Sequence, residues 1–361
     1  MQNRRKFIQN FIQSGAVIGT AAQLGAVSAT GLLTSCQTID ETLITDPPEL
    51  PDQVCVVGGG ISGLFSAYEL KKRKIPFRLF EASRRLGGQI LSSGPNEYGA
   101  SVFSKNSTTL FNLCKELGVA TASVDAQSWT FKLGSQEFLN RLVEVVSGLV
   151  PERQIRLNHK LIKYKEEGSL KELTFSNPKN DKVYKTGKII FAMPVIEWSK
   201  VDGMTSMWVK PEQVEALRVV QVIINSPQWT TVFKKSVSQL KIDDVSVEIK
   251  KMKNQILMSI RAPLIKSSLP LEIENIEKWI AQKVLGDARI RLNLNENDIY
   301  DWSNHPTLQI SRIGDNVGEV KPVPTSRQLL VVNEALFKDS HSTDRVENLL
   351  RLVQSQIDRL V

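Results

Sequence analysis

The sequence predicts an α/β chain in which a Rossmann-like dinucleotide-binding domain carries a smaller β-rich domain. Three observations predict it. Residues 54–81 run strand, glycine turn, helix, strand and terminal acid. Residues 108–194 give two amphipathic helical stretches followed by alternating, strand-like segments. From about Trp198 to Val320 strand-like runs dominate and recognisable motifs thin out. Setting aside the first 35 residues leaves 326, enough for one large or two joined domains.

The first 36 residues read as an export signal rather than as fold. Asn3-Arg4-Arg5-Lys6-Phe7-Ile8 resembles the twin-arginine pattern, and no charge follows until Asp40. The stretch between is rich in Gly, Ala, Ser and Thr, only mildly apolar, whereas a permanent span would be richer in Leu, Ile and Phe. Leu33-Thr34-Ser35-Cys36 resembles a bacterial lipobox, which implies a lipid on Cys36 and a periplasmic protein held at the envelope. An uncleaved N-terminal anchor is the other reading. Residues 37–52, polar and with three prolines, read as a tether.

Val54–Val57 is a short apolar strand, and Gly58, Gly60 and Gly63 follow at G-x-G-x-x-G spacing. Gly58 permits the tight turn, Gly60 lets a pyrophosphate approach the backbone, and Gly63 lets the helix pack close on the strand. The helix start at Ile61 and Ser62 offers free N–H groups and a positive dipole end. Leu64, Ala67, Tyr68 and Leu70 lie on one side of the helix over Leu64–Lys72. The second strand, Phe77–Phe80, ends in Glu81, placed to accept from ribose hydroxyls.

NAD and FAD share that pattern. Arg85-Leu86-Gly87-Gly88-Gln89 resembles the R-x-G-G-R signature of the FAD-dependent amine oxidase family, with Gln89 in place of the last arginine. The resemblance implies a Rossmann-like FAD-binding domain and a smaller β-rich substrate domain. It also implies removal of a hydride equivalent from a C–N or C–C bond of a small-molecule substrate. Asn96–Phe103 resembles the family's acid, Gly-Ala and apolar run, with Glu97 or Tyr98 at the acid's place. Residues 108–118 form an amphipathic helix with Leu110, Leu113, Cys114 and Leu117 inward. In the helix over 134–150, Ser135 is placed to cap and Phe138, Leu139, Leu142, Val145 and Val146 face a core. Strands in IRLNHKLIKYKEEG and KVYKTGKIIFAMP follow. The resemblance implies backbone contact from Leu161 to adenine and an exit at Ala192-Met193-Pro194.

Further on, VVQVII, TTVFKK, VSVEIK and QILMSI read as strands and IENIEKWIAQKVLG as a helix. Trp302 resembles the family's late tryptophan beside the flavin, and an ordinary core aromatic is equally consistent. His305 lies near it without an acid partner. The expected domains are 53–103, 130–197 and 325–361 for FAD, and 104–129 and 198–324 for substrate.

The chain's end departs from the family. A strand, Leu329–Val332, and a helix from Asp344, with Glu347 at capping-box position, are present. Glu334 matches the family's acid, but Asn333 stands for glycine and no glycine follows Gly318. Asp344, His341, Ser342 and Thr343 bring charge and bulk where the family needs close approach to the flavin ring. Two further readings therefore stay open. One is a non-catalytic relative that binds FAD or ADP as an envelope-anchored interaction protein. The other is an NAD(P)-dependent reductase, against which the second glycine loop argues. The net charge of +8, which falls to +5 without Arg4, Arg5 and Lys6, comes with no basic aromatic patch for nucleic acid. Cys36, Cys55 and Cys114 form no disulfide framework, and His159, His305 and His341 have no metal-ligand spacing.

Overall fold

The computed structural model describes residues 49–93, 96–147, 154–204, 214–225, 237–251, 255–265, 267–270, 272–304, 311–313, 328–332 and 344–360. The export signal with Cys36, most of the tether, the TTVFKK run, His305, and Glu334 with the loop around it lie outside these residues.

The chain opens with the βαβ unit: β1 (Glu49–Val57), α1 (Ile61–Lys72) and β2 (Phe77–Phe80). The strand thus begins within the expected tether, and the helix begins at the turn itself rather than at Leu64. Next come β3 (Ser92–Ser93) paired with β4 (Asn96–Glu97), then β5 (Val102–Ser104), α2 (Thr108–Leu117), β6 (Thr121–Ser123) and β7 (Ser128–Phe131). After α3 (Ser135–Ser147) come β8 (Ile155–Arg156), β9 (Lys160–Glu167), β10 (Leu170–Ser176) and β11 (Lys182–Phe191). A short helix, α4 (Val195–Trp198), leads to β12 (Val214–Ile224), β13 (Val237–Ile242), β14 (Val245–Lys251) and β15 (Ile256–Pro263). The chain closes through α5 (Ile273–Trp279), β16 (Ile299–Asp301), β17 (Ser311–Ile313), β18 (Leu329–Val331) and α6 (Arg345–Ile357).

Two sheets organise the molecule. The first has the order β8-β2-β1-β11-β10-β9, with β18 on the far end of β11. Its centre is parallel: β1 pairs β2 and β11, and β11 pairs β18. β1 is apolar over Val54–Val57, where it pairs both neighbours, because both faces are covered there. Val54 and Val56 join the core of α1, α2, α3 and α6, while Cys55 and Val57 join a second core with Leu161, Phe175, Tyr184 and Phe191. Burial pushes the Cys55 thiol up to about 12 and that of Cys114, in α2, to about 12 as well.

The second sheet, β13-β14-β15-β12-β16 with β17 also on β12, is antiparallel. Its strands alternate faces with period two. Val220, Val222, Val247, Ile249, Met258 and Ile260 pack beneath α5 with Ile276 and Ile280. The opposite face looks at the first domain.

Four further expectations differ from the fold. Residues 104–129 belong with the dinucleotide domain: Leu110, Leu113, Cys114 and Leu117 share its core with Val346 and Leu350 of α6. Val145 is 39% exposed and Val143 takes its place inside, since residues 139, 142, 143 and 146 form the inward stripe of α3. The helix expected over IENIEKWIAQKVLG ends as α-helix at Trp279 and continues as a π-turn over Ile280–Val284. Glu347 makes no capping box in α6. Its carboxylate accepts from the Thr109 and Leu110 backbone N–H groups, at 3.0 and 2.9 Å, and so caps α2 instead.

Candidate functional site

One cavity runs from the glycine turn of the first sheet to the inner face of the second. At its dinucleotide end Gly58 has φ +111°, and a Cβ there would lie 2.8 Å from the Ala192 carbonyl carbon. A Cβ on Gly63 would fall 1.9 Å from the Gly58 oxygen, so α1 rests directly on the turn. Gly60 is different. Its Cβ would meet nothing nearer than the Gly88 Cα at 3.9 Å, because that side of the residue is cavity. Gly60 also serves as N-cap of α1 without a side-chain cap, and the first turn carries no acid. The helix start at Ile61 and Ser62 thus lines the cavity with its positive dipole end unneutralised.

The second glycine loop is laced to the first. The Gly87 N–H donates to the Gly59 oxygen at 2.8 Å, and Gly87 and Gly88 have φ of +104° and +55°. The Arg85 guanidinium, 8% exposed, donates to the carbonyls of Leu86, Gly88 and Ile90. Burial lowers its pKa, which the nearby Tyr300 and Glu81 charges oppose. Arg85 therefore ties the loop in shape and lines the cavity with what remains of its surface. Gln89 lines the same wall.

Glu81 Oε2 accepts from the Gly59 N–H at 2.7 Å and Oε1 from the Ser83 N–H at 2.8 Å. A carboxylate accepts about four hydrogen bonds, so two sites remain for hydroxyls. Leu161, at the start of β9, lines the cavity beside His159 and Lys160. His159 was not singled out from the sequence. It is 5% exposed, its Nδ1–H donates to the Leu157 oxygen at 2.7 Å, and its ring lies near those of Phe80 and Phe175.

The acid ambiguity at Glu97 and Tyr98 is resolved by direction. Glu97 turns away and accepts from the Ser135 N–H at 3.0 Å and from the Ser135 hydroxyl, making Glu97 the cap of α3. Tyr98 turns into the cavity. Trp302 is both core and site: it is 2% exposed, donates from Nε1 to the Tyr98 oxygen at 3.0 Å, and lines the cavity. From α6 the lining residues are Arg345, Val346 and Leu349, so the charge at that helix start facing the cavity is Arg345's, not Asp344's.

The floor is the inner face of the second sheet, which carries Val219, Gln221, Glu248, Lys250, Leu257, Ser259 and Arg261. From the sequence VSVEIK reads only as a strand, since alternation reports two unlike faces and not what the polar one meets. Here Glu248 and Lys250 are 8% and 7% exposed and their charged atoms are 3.8 Å apart.

Residues 56–117 match the model of an NAD(P)-binding Rossmann-like domain. A coproporphyrinogen III oxidase of Mycobacterium bovis is 34% identical over 99 residues, which is 26% of this chain and 22% of that protein. The chain spans between 14% and 22% of the length of such curated relatives. Among solved structures, wild-type putrescine oxidase bound to putrescine superposes with a TM-score of 0.60 at 13% identity, covering 87% of this chain and 100% of that one. CtdE in complex with FAD superposes with a TM-score of 0.55 at 12% identity, covering 85% and 84%. The chain has the Rossmann-like α/β FAD-binding fold of the flavin amine oxidases.

Proposed function

We propose that this chain is an FAD-dependent oxidoreductase of the amine oxidase type, oxidising a small molecule at a C–N or C–C bond. The observation that carries the reading is Gly60: an uncapped helix start whose missing side chain opens onto a cavity lined by a second glycine loop. The residues fit the cofactor. The α1 N-terminus with Gly58, Gly60, Ile61 and Ser62 would hold the diphosphate, Glu81 the ribose, and the Leu161 backbone the adenine. Gly87, Gly88 and Gln89 would line the diphosphate and ring from the other side, with Arg85 fixing their path. When bound, the flavin would supply the electron acceptor. The chain's own part is to exclude water, with Tyr98, Trp302 and Leu257 walling the cavity, and to set the local charge. Arg345 at the α6 start adds a cation to a positive dipole end, which favours negative charge beside it.

A non-catalytic FAD- or ADP-binding relative is the second reading, favoured by the absence of glycine after Gly318. In that reading the ADP half carries the affinity and the ring is loosely seated. The two part on reduction of the purified protein by candidate amines and dihydronicotinamides, with Asn333→Gly as comparison. Rapid turnover by the unmodified chain removes the second reading, and flavin that stays oxidised with every donor removes the first. For location we propose twin-arginine export and a lipid on Cys36, holding the chain at the periplasmic side of the envelope. This rests on the sequence of residues 3–8 and 33–36.

A further inference from the structure

The inner face of the second sheet carries a polar row that folding alone does not require. Gln221 on β12 is paired with Ser259 on β15, and Ser259 with Glu248 on β14, so the three side chains stand abreast across three strands. Arg261 stands one step along on β15, level with Val219, and Lys250 one step the other way, level with Leu257. All seven line the cavity. The opposite face of the same strands carries Val220, Val222, Val247, Ile249, Met258 and Ile260 in an apolar core. Burying an amide, a carboxylate and an ammonium together opposes folding unless they gain partners.

The partners present are incomplete. Gln221 is 7% exposed, its Nε2 donates to the Ser259 hydroxyl at 3.0 Å, and its Oε1 has no hydrogen-bond partner among the described residues. Exchange of the amide's two ends would let the Ser259 hydroxyl donate to the oxygen and turn the –NH2 towards the cavity. Three cations, Lys250, Arg261 and Arg345, and one carboxylate, Glu248, line this end among the described residues. Burial lowers the Lys250 pKa. The Glu248 carboxylate opposes that, and the Arg261 and Arg345 cations add to it. Arg345 reaches this end from α6, so the cluster is closed by two domains.

We infer that this end of the cavity binds the anionic group of the substrate, a carboxylate attached to an apolar or aromatic body. The cluster of Lys250, Arg261 and Arg345 would hold the anion, Gln221 would complete its hydrogen bonds, and Val219, Leu257, Tyr98 and Trp302 would take the body. A protonated amine would meet three cations and one carboxylate among the described residues here, in contrast with the putrescine named for putrescine oxidase. The inference rests on the reading that this is the substrate end of a flavin site.

The test uses the purified full-length mature chain and three probes of one shape: benzoate, benzyl alcohol and benzylamine. Binding is followed by calorimetry and, in parallel, by perturbation of any bound-flavin absorbance. Charge-assisted hydrogen bonds in a desolvated site contribute about 1.5–3 kcal/mol, so benzoate is expected to bind roughly tenfold or more tightly than benzyl alcohol, and benzylamine most weakly. Lys250→Met and Arg261→Met should each erase most of the benzoate preference, leave benzyl alcohol binding within about twofold and keep the cofactor content. Lys250→Arg should retain the preference. If either Met variant fails to fold, the order of the three probes on the unmodified chain decides by itself. Benzylamine binding as tightly as benzoate overturns the inference, as does loss of cofactor without loss of benzoate preference in Lys250→Met. A chain that holds FAD but ignores benzoate refutes this inference and leaves the flavoprotein reading intact. A chain without FAD that still prefers benzoate does the reverse.

Discussion

Gly60 and Gly63 separate function from folding within one turn. A Cβ on Gly60 enters the cavity, whereas a Cβ on Gly63 collides with backbone at 1.9 Å. Gly60→Val should therefore keep a melting temperature close to that of the unmodified cofactor-free chain and lose most of its bound cofactor. Gly63→Ala should destabilise by about 1–3 kcal/mol or fail to fold, because backbone cannot yield as a side chain would. Thermal melts and cofactor-to-protein ratios of the two variants check both statements. The thiols give a pH prediction. Cys55 and Cys114 have an ordinary value of 9.0 and are each pushed by burial to about 12. Their protonated forms are thus favoured by the fold. That contribution is fully present below pH about 9, where the unfolded thiols are also protonated, and is lost as pH rises from 9 towards 12. Each thiol should remove stability at up to about 1.4 kcal/mol per pH unit across that window. Denaturant melts between pH 8 and 11 should follow this fall, and Cys55→Ala with Cys114→Ala should flatten it. At pH 8 neither thiol should react with iodoacetamide until the chain unfolds.

Whole elements are tied by residues whose partners the sequence does not reveal. Glu347 looks like a cap for its own helix, since the spacing from Asp344 is that of a capping box. In the fold it caps α2 and receives Arg351 at 2.8 Å, joining two helices of the first domain. Glu97 does the same for α3 through Ser135. Acid at a helix start is legible, but which helix start it serves is settled by tertiary packing. Glu347→Gln should cost about 1–2 kcal/mol in urea unfolding, since a buried charged acceptor at a helix N-terminus becomes a neutral one. Glu137→Gln, which loses only the exposed pair with Arg141, should cost under about 0.5 kcal/mol. Equal effects would mean that the α2 cap contributes nothing particular to Glu347.

At the scale of the molecule, the βαβ unit was legible because a phosphate turn constrains residue type at fixed spacing, and Gly58, Gly60, Glu81 and Gly88 meet at one cavity while Gly63 packs α1 onto the turn. The second sheet was legible only as strands. VSVEIK and VVQVII report two faces, and the cavity that faces Glu248, Lys250 and Gln221 is walled by residues of another domain drawn from several separate stretches of the sequence. The proposed membrane relation rests on the sequence of the first 36 residues alone; among the described residues no helix is long and apolar enough to cross a membrane. Cys36→Ala should release a soluble exported form, and Arg4→Lys with Arg5→Lys should leave precursor in the cytoplasm, both read by fractionation. Membrane-bound Cys36→Ala protein would contradict the lipid anchor. The central claim is that this fold holds a flavin in the cavity opened by Gly60. Its most direct measurement is the absorbance spectrum of the protein purified under native conditions, with mass identification of whatever denaturation releases, beside Gly60→Val. The account predicts flavin bands in the blue and near-ultraviolet, FAD as the released molecule, and both largely absent from the variant. A colourless chain, release of NAD(P) in place of FAD, or a variant that retains its full flavin would contradict it.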